Sequence, residues 1–359
     1  MVAATTKIPP AVQAVFPVAI PSMDLGRAPV HELADKLPEA KTAGYQGIEV
    51  FYEDLKLLAQ SYPDGTFEER LYRACEKFRA LCDELGMAII GLGPFKNYDG
   101  RVDVARHAHK MEKLRVWCRM CDILGTDLIQ VPTNYKIEGT TGDIDVLVKH
   151  MRELADYGLA REPKIRFAYE ALSWGTHADT WQRAWEVIER ADRPNLGLCM
   201  DTFHYAAVVW ADCTSESGVV PDADARLAAD LAEFARRVPP ERVFYVQLND
   251  GQRCLPPLSP AHPAYNPSMK YNMMWSRSFR IFPCEQELGG YLPLERIMHF
   301  LLFEFGYRGW VSMEIFQPGL YEPDASVPRV YAQRGMKGWL KTVESLGLAA
   351  LADKTVSCA

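Results

Sequence analysis

The feature that most constrains this sequence is an alternation, repeated eight times, of a short apolar run bounded by turn residues and a longer stretch with helical periodicity. The short runs are Phe16–Ile20, Gly47–Phe51, Ala88–Gly91, Leu128–Val131, Arg166–Glu170, Leu196–Met200, Val243–Leu248 and Trp310–Ile315. The periodic stretches are His31–Thr42, Phe67–Leu85, Val104–Leu124, Gly142–Tyr157, Asp179–Arg190, Asp222–Arg237, Leu294–Phe305 and Val330–Leu346. Gly86, Gly125 and Gly306 follow three of them, where a left-handed residue can close a helix. Eight consecutive βα units predict an α/β chain closed into a (β/α)8 barrel. An open doubly wound sheet is the alternative, but no glycine-rich phosphate loop follows the first strand.

No Pro/Gly/Ser linker divides the chain, so residues 1–359 read as a single barrel domain. The exception to compactness is residues 251–290, much longer than an ordinary barrel connection. Its aromatic and methionine content, with Arg277 and Arg280 close together, predicts an ordered lid after strand seven. The composition, 48% hydrophobic and 24% charged, supplies ample material for a core.

A formal charge of −7 speaks against nucleic-acid and membrane surfaces, which demand clustered positive charge, and favours a small-molecule partner. No apolar run approaches the roughly 20 residues that span a bilayer, and the N-terminal stretch lacks a secretory h-region. The expected location is the cytoplasm, and self-association into a homo-oligomer is left open. Nine cysteines from Cys75 to Cys358 lack the spacing of a disulfide framework and read as reduced thiols. Cys118 and Cys121 form a CxxC inside a helical stretch, where they are expected to face the core.

In such a barrel the active site lies at the C-terminal ends of the strands. Four polar residues stand there on consecutive strands: Glu170, Asp201, Gln247 and Glu314. Four oxygen donors, three of them carboxylates, make a site for a hard divalent cation such as Mg, Mn or Co. Without a cation, buried like charges would repel or take up a proton. His204, three residues after Asp201 at the opening of the sixth βα loop, is a candidate general base or a further ligand. Glu49, near the end of strand two, faces the same mouth as a second candidate for acid–base work. Lys96 and Tyr98, in GPFKNYDG after strand three, are candidate donors to a bound oxyanion, although a turn rich in Pro, Asn, Asp and Gly accounts for that segment equally well. Asn134 and Tyr135 after strand four lean toward structure, and His177 toward the neighbourhood of a helix cap. Arg277 and Arg280 in WSRSFR can present guanidinium forks to a carboxylate or phosphate, which points to a small anionic substrate.

Together, IPSMDLGR, GIEVFYEDL, AYEALSWGTH, MDTFH, VFYVQLND, WSRSFRIFP and GWVSMEIFQ resemble, over nearly the whole chain, the fungal 3-dehydroshikimate dehydratases of quinate catabolism. These belong to the xylose-isomerase-like barrels, which also hold sugar epimerases, inosose dehydratases and an apurinic endonuclease branch. The resemblance implies a metal-dependent lyase that converts 3-dehydroshikimate to protocatechuate. It implies Glu170, Asp201, Gln247 and Glu314 as metal ligands, His204 as site histidine, and Arg277 or Arg280 as the holder of the substrate carboxylate. Two departures bear on the pocket. Gly93 stands where a glutamine is expected, which removes a polar group near the pocket, and the stretch between Gln247 and WSRSFR is long, which reshapes the covering segment.

Two further classes remain for comparison. A sugar or cyclitol isomerase, epimerase or dehydratase would use the same metal with two carboxylates, Glu170 and Glu314, relaying a proton. A non-catalytic barrel, or a nuclease of the same superfamily, fits less well: the first need not keep a ligand set, and the second needs more histidine ligands and tolerates acidic charge poorly.

Overall fold

The structure, a computed structural model, describes residues 8–350. Eight parallel strands close into a barrel: β1 (Val18–Pro21), β2 (Gly47–Phe51), β3 (Ala88–Gly93), β4 (Leu128–Pro132), β5 (Arg166–Glu170), β6 (Leu196–Asp201), β7 (Val243–Gln247) and β8 (Val311–Ser312). Each pairs with its sequence neighbours, and β8 closes the ring through Val18↔Val311 and Ala19↔Ser312. Parallel strands are buried on both faces, which is why the runs read as almost continuously apolar. In β1, for example, Val18, Ala19 and Ile20 are all fully buried.

Successive side chains of a strand point to opposite faces, and that period sets the site. Leu128, Ala168, Cys199 and Tyr245 belong to a small cluster with Ala19 and Ile90, against which Phe244 and Trp310 pack. Two residues further along the same strands, on the same face, stand Gln130, Glu170, Asp201 and Gln247. An apolar plug therefore underlies a polar layer at the C-terminal mouth. The plug is tight: a Cβ on Gly197 would stand 2.7 Å from the Phe244 ring.

Helices Phe67–Leu85 and Val104–Leu124 match the sequence reading and end on Gly86 and Gly125, both in the left-handed region. The first starts with a reciprocal capping box between Thr66 and Glu69. Cys118 and Cys121 are buried, free thiols in the second, and all eight cysteines within the described residues are free; Cys358 lies outside them. No helix among the described residues is long and apolar enough to cross a membrane.

Among the helices that escape the periodicity argument, two follow a strand without a break. Tyr52–Ser61 and Thr202–Val209 begin directly at the ends of β2 and β6, with no intervening loop. For the second, the Asp201 side chain accepts the His204 N–H at 2.8 Å, so a residue read as strand end is also an N-cap. His204 accordingly lies in the first turn of a helix rather than in a loop. The last strand is shorter than Trp310–Ile315 because Asp24, buried beneath it, accepts the Ile315 N–H at 3.0 Å in place of a neighbouring strand.

Residues 251–290 leave after β7 and return by antiparallel pairing, Asp250↔Ile281 and Gly251↔Arg280. Between these lies the helix Tyr271–Phe279, whose C-terminal end delivers Ser276, Arg277 and Arg280 to the barrel mouth.

Candidate active site

A cavity of about 320 Å³ opens at the C-terminal mouth, with Glu49, Lys96, Gln130, Glu170, His204, Arg277, Arg280 and Glu314 in its wall. Its floor is acidic. One carboxylate oxygen each of Glu170 and Asp201 and a ring nitrogen of His204 all lie within 4.8 Å of one another, and all three residues are buried. Arg280, fully buried, reaches into this group from above. Its Nη1 donates to Asp201 Oδ2 and to Glu314 Oε2, both at 2.7 Å, and its Nε donates to Ser276 Oγ at 2.9 Å.

Burial raises Glu170 and Glu314 well above the usual carboxylate range. Burial pushes Asp201 the same way, but Arg280 and the donors around Asp201 outweigh it and leave this carboxyl below its ordinary value. Asp201 has partners that Glu314 lacks, the His204 N–H and Asn249 Nδ2 at 3.1 Å, while the neighbouring Glu170, Asp201 and Glu49 carboxylates push Glu314 further up. So dense a set of acids needs positive charge, and oxygen and imidazole donors of this kind suit a divalent cation.

His204 is poised as a neutral imidazole, since burial drives its pKa down to about 3. Arg280 Nη2, which can only donate, lies 2.7 Å from Nε2. Nε2 is therefore placed as an acceptor, while Nδ1 receives the Ser173 N–H at 3.2 Å and lies 3.1 Å from Ser173 Oγ, which holds the ring in place. Nε2 also lies 3.5 Å from Glu170 Oε1.

Glu49 belongs to the same wall but is heavily engaged. It accepts from Tyr245 Oη at 2.9 Å, Ser312 Oγ at 2.8 Å and Gln247 Nε2 at 3.1 Å. Burial raises its pKa, while these donors oppose the rise. Gln247 in turn donates through Nε2 to Glu314 at 3.1 Å, and its Oε1 accepts from Cys199. Thus, of the sequence-predicted metal set, Glu170, Asp201 and Glu314 turn toward the cluster, whereas Gln247 presents its amide nitrogen. Two carboxylates beside that amide favour the N–H end unless a cation offsets their charge.

The structure corrects one expectation. Tyr98 is buried away from the cavity and donates to the His150 carbonyl at 2.9 Å. A buried hydroxyl needs a partner, and the carbonyl supplies it. Asn134 is structural too, donating to the Asp99 carbonyl at 2.8 Å, and His177 bonds Thr140 near the start of the next helix. Lys96, Tyr135 and Arg277 do line the cavity.

Five residues at the site escape the sequence reading: Arg27, Gln130, Ser173, Asn249 and Ser276. Gln130 carried a legible signal, a polar residue inside the apolar run LIQVP on the same face as Leu128. It donates through Nε2 to Glu170 Oε2. It also fills the space that a side chain at Gly93 would need, since a Cβ there would lie 2.8 Å from Gln130 Oε1. The amide expected at position 93 on β3 is thereby supplied from β4.

Residues 37–343 match the family described as xylose isomerase-like TIM barrel. The chain belongs to that family. Among curated proteins it is 40% identical over 337 residues to a 3-dehydroshikimate dehydratase of Neurospora crassa, covering 92% of this chain and 94% of the relative. It is 30% identical over 313 residues to a 3-dehydroshikimate dehydratase of Pseudomonas aeruginosa, covering 86% of this chain but 39% of that longer protein. Among solved structures of the family's fold, a xylose isomerase-like TIM barrel/4-hydroxyphenylpyruvate dioxygenase fusion protein superposes with a TM-score of 0.70 at 26% identity, over 95% of this chain and 45% of the other. The zinc-bound IolI protein superposes with a TM-score of 0.66 at 16% identity, over 92% and 99% of the two chains.

Proposed function

We propose that this family member is a metal-dependent hydro-lyase that dehydrates 3-dehydroshikimate to protocatechuate in the cavity at the barrel mouth. The observation that carries this reading is the buried Glu170–Asp201–His204 cluster with Glu314 alongside, in a chain 40% identical to a dehydratase of that substrate. Glu170, Asp201 and Glu314 would hold a divalent cation of the Mg, Mn or Co type, with Gln247 joining once its amide turns. When bound, the cation supplies the positive charge that favours enolate formation at the ring ketone.

The chain's own residues do the rest. Neutral His204 accepts the proton from the carbon beside the ketone through Nε2 once the bound substrate takes the place of the Arg280 Nη2 contact there, while Ser173 holds Nδ1 and fixes the ring. Loss of the β-hydroxyl takes up a proton, which the imidazolium of His204 can return, and tautomerisation of the ring yields the aromatic acid. Glu49, saturated by three donors, is better suited to holding Gln247 than to moving a proton. The 251–290 segment acts as the cover, because it brings Ser276, Arg277 and Arg280 over the floor. Together these predict one barrel unit acting on a small anionic ring.

The test is to mix cation-supplied protein with 3-dehydroshikimate and follow absorbance in the protocatechuate band, with a chelator-treated control. Cation-dependent product supports site and reaction together. No product with cation bound would redirect the search to other cyclic or sugar-like ketones.

A further inference from the structure

Taking the dehydration reading as its basis, we infer that Arg27, which nothing in the sequence pattern singles out, is the principal holder of the substrate carboxylate, seconded by Lys96 and Arg277. Arg280, one of the residues expected in that role, is already used. Both Nη1 hydrogens go to Asp201 and Glu314, Nε–H goes to Ser276, and one Nη2 hydrogen points at His204. A guanidinium has five N–H groups, so one remains, too few for a bidentate fork.

The rim of the same cavity carries three other cations, Arg27, Lys96 and Arg277. None of them has an ion-pair partner among the described residues. Arg27 Nε donates to Tyr321 Oη at 3.3 Å and Nη1 lies against Met23 Sδ, which leaves Nη2 without a partner among the described residues. Its guanidinium stands 5.3, 5.4 and 5.4 Å from the ring centroids of Phe51, Phe316 and Tyr321. That aromatic enclosure fixes the guanidinium plane without neutralising it. Lys96 Nζ stands 5.4 Å from the same Phe51 ring, and Arg277 lies 6.0 Å from the Tyr135 ring. Lys96 is exposed by area, yet the cavity wall and the neighbouring Arg277 and Arg27 lower its pKa, while Tyr135 and Glu53 act the other way.

Three cations that make no ion pair among the described residues, against the single rim acid Glu53, stand above a floor of carboxylates and polarise the cavity along its depth. A ring with a ketone and hydroxyls at one end and a carboxylate at the other matches that polarity. Arg27 is half-buried and held by rings, so it loses less freedom on binding than the exposed Lys96 and Arg277, and a charge-assisted fork to a carboxylate is the strongest contact available to it.

The experiment compares two inhibitors of the cation-loaded enzyme, protocatechuate and catechol, which differ by the carboxylate alone. In the unaltered protein protocatechuate is expected to bind about 10- to 100-fold more tightly, the range for hydrogen bonds to a charged group. In Arg27→Gln that ratio should fall at least about tenfold while catechol binding stays within about threefold. Arg27→Lys should restore part of it, because charge survives and the fork does not. A purely structural Arg27 would weaken both inhibitors alike or neither. A ratio unchanged in Arg27→Gln, with folding verified by thermal unfolding, overturns the assignment. Should Arg27→Gln not fold, Arg27→Lys decides the matter, since an unchanged ratio there overturns it too. The dehydration reading fails separately, if the unaltered, cation-loaded protein leaves 3-dehydroshikimate untouched.

Discussion

Replacing Arg280 by methionine probes the electrostatic design of the site most directly. The side chain is fully buried and touches Asp201 and Glu314 at 2.7 Å each. At an effective dielectric of about 20, a unit-charge contact at that distance is worth about 6 kcal/mol. Most of this offsets the desolvation of three buried ions, so the measurable loss on removing one partner of such a group is about 3–5 kcal/mol. Methionine keeps the alkyl stem but ends about where Nε stands and gives up the cation–π contact with the Phe203 ring, 4.6 Å from the guanidinium carbon, so Arg280→Lys, which keeps a charge, serves as the control that separates charge from lost volume. A divalent cation can replace the missing charge, and linkage then requires the variant to bind it more tightly than the unaltered protein. Chelator-treated and Mn-saturated samples, followed by denaturant unfolding at neutral pH, should show the full loss without the cation and a clearly smaller loss with it. Arg280→Lys should recover part of the stability. An equal loss in both conditions, or one below about 1 kcal/mol, would refute the view that Arg280 and a cation neutralise the same carboxylates.

Three further outcomes follow from the same geometry. His204→Ala should abolish turnover while divalent-cation binding, measured by calorimetry, is largely retained; near-normal turnover would remove this imidazole from the reaction. Gly93→Ala places a Cβ 3.0 Å from Gln130 Cβ and 2.8 Å from its Oε1, which should disturb the Gln130–Glu170 bond and weaken cation affinity about tenfold, as loss of a ligand's orienting partner does; the double variant Gly93→Ala, Gln130→Ala should gain nothing more, and an affinity equal to that of the unaltered protein in Gly93→Ala would show that Gln130 does not hold Glu170. Away from the site, burial lowers His150, stacked 3.9 Å from His107, from 6.5 to about 4; between those values the unfolded chain binds the extra proton, so stability should fall as pH drops through that window, and His150→Gln should flatten the fall in urea titrations, whereas an unaltered slope would exonerate His150.

The barrel was legible because its signal is local. Each strand is a run buried on both faces, and each long helix carries its own start and stop, so composition over a few residues suffices to place Glu170, Asp201, Gln247 and Glu314 at strand ends. The same logic went wrong where one side chain serves two elements. Asp201 ends β6 and caps the helix Thr202–Val209, and Asp24 ends the pairing of β8 by taking the Ile315 N–H.

Spacing along a strand places a side chain on a face but says nothing of what meets it from another strand or from a long excursion. Tyr98 sits two residues from Lys96, yet one faces the His150 carbonyl and the other the cavity. Gln130 occupies the space left open by Gly93 on the neighbouring strand, and Arg280, brought back by pairing with Gly251, takes up the carboxylates rather than waiting for a substrate. Residue types and periodicity, being properties of the chain, determined the barrel and its acidic mouth. Which cation neutralises those acids and which stands free for a ligand is a matter of distances between residues remote in sequence, and only the closed barrel with its returning segment decides it.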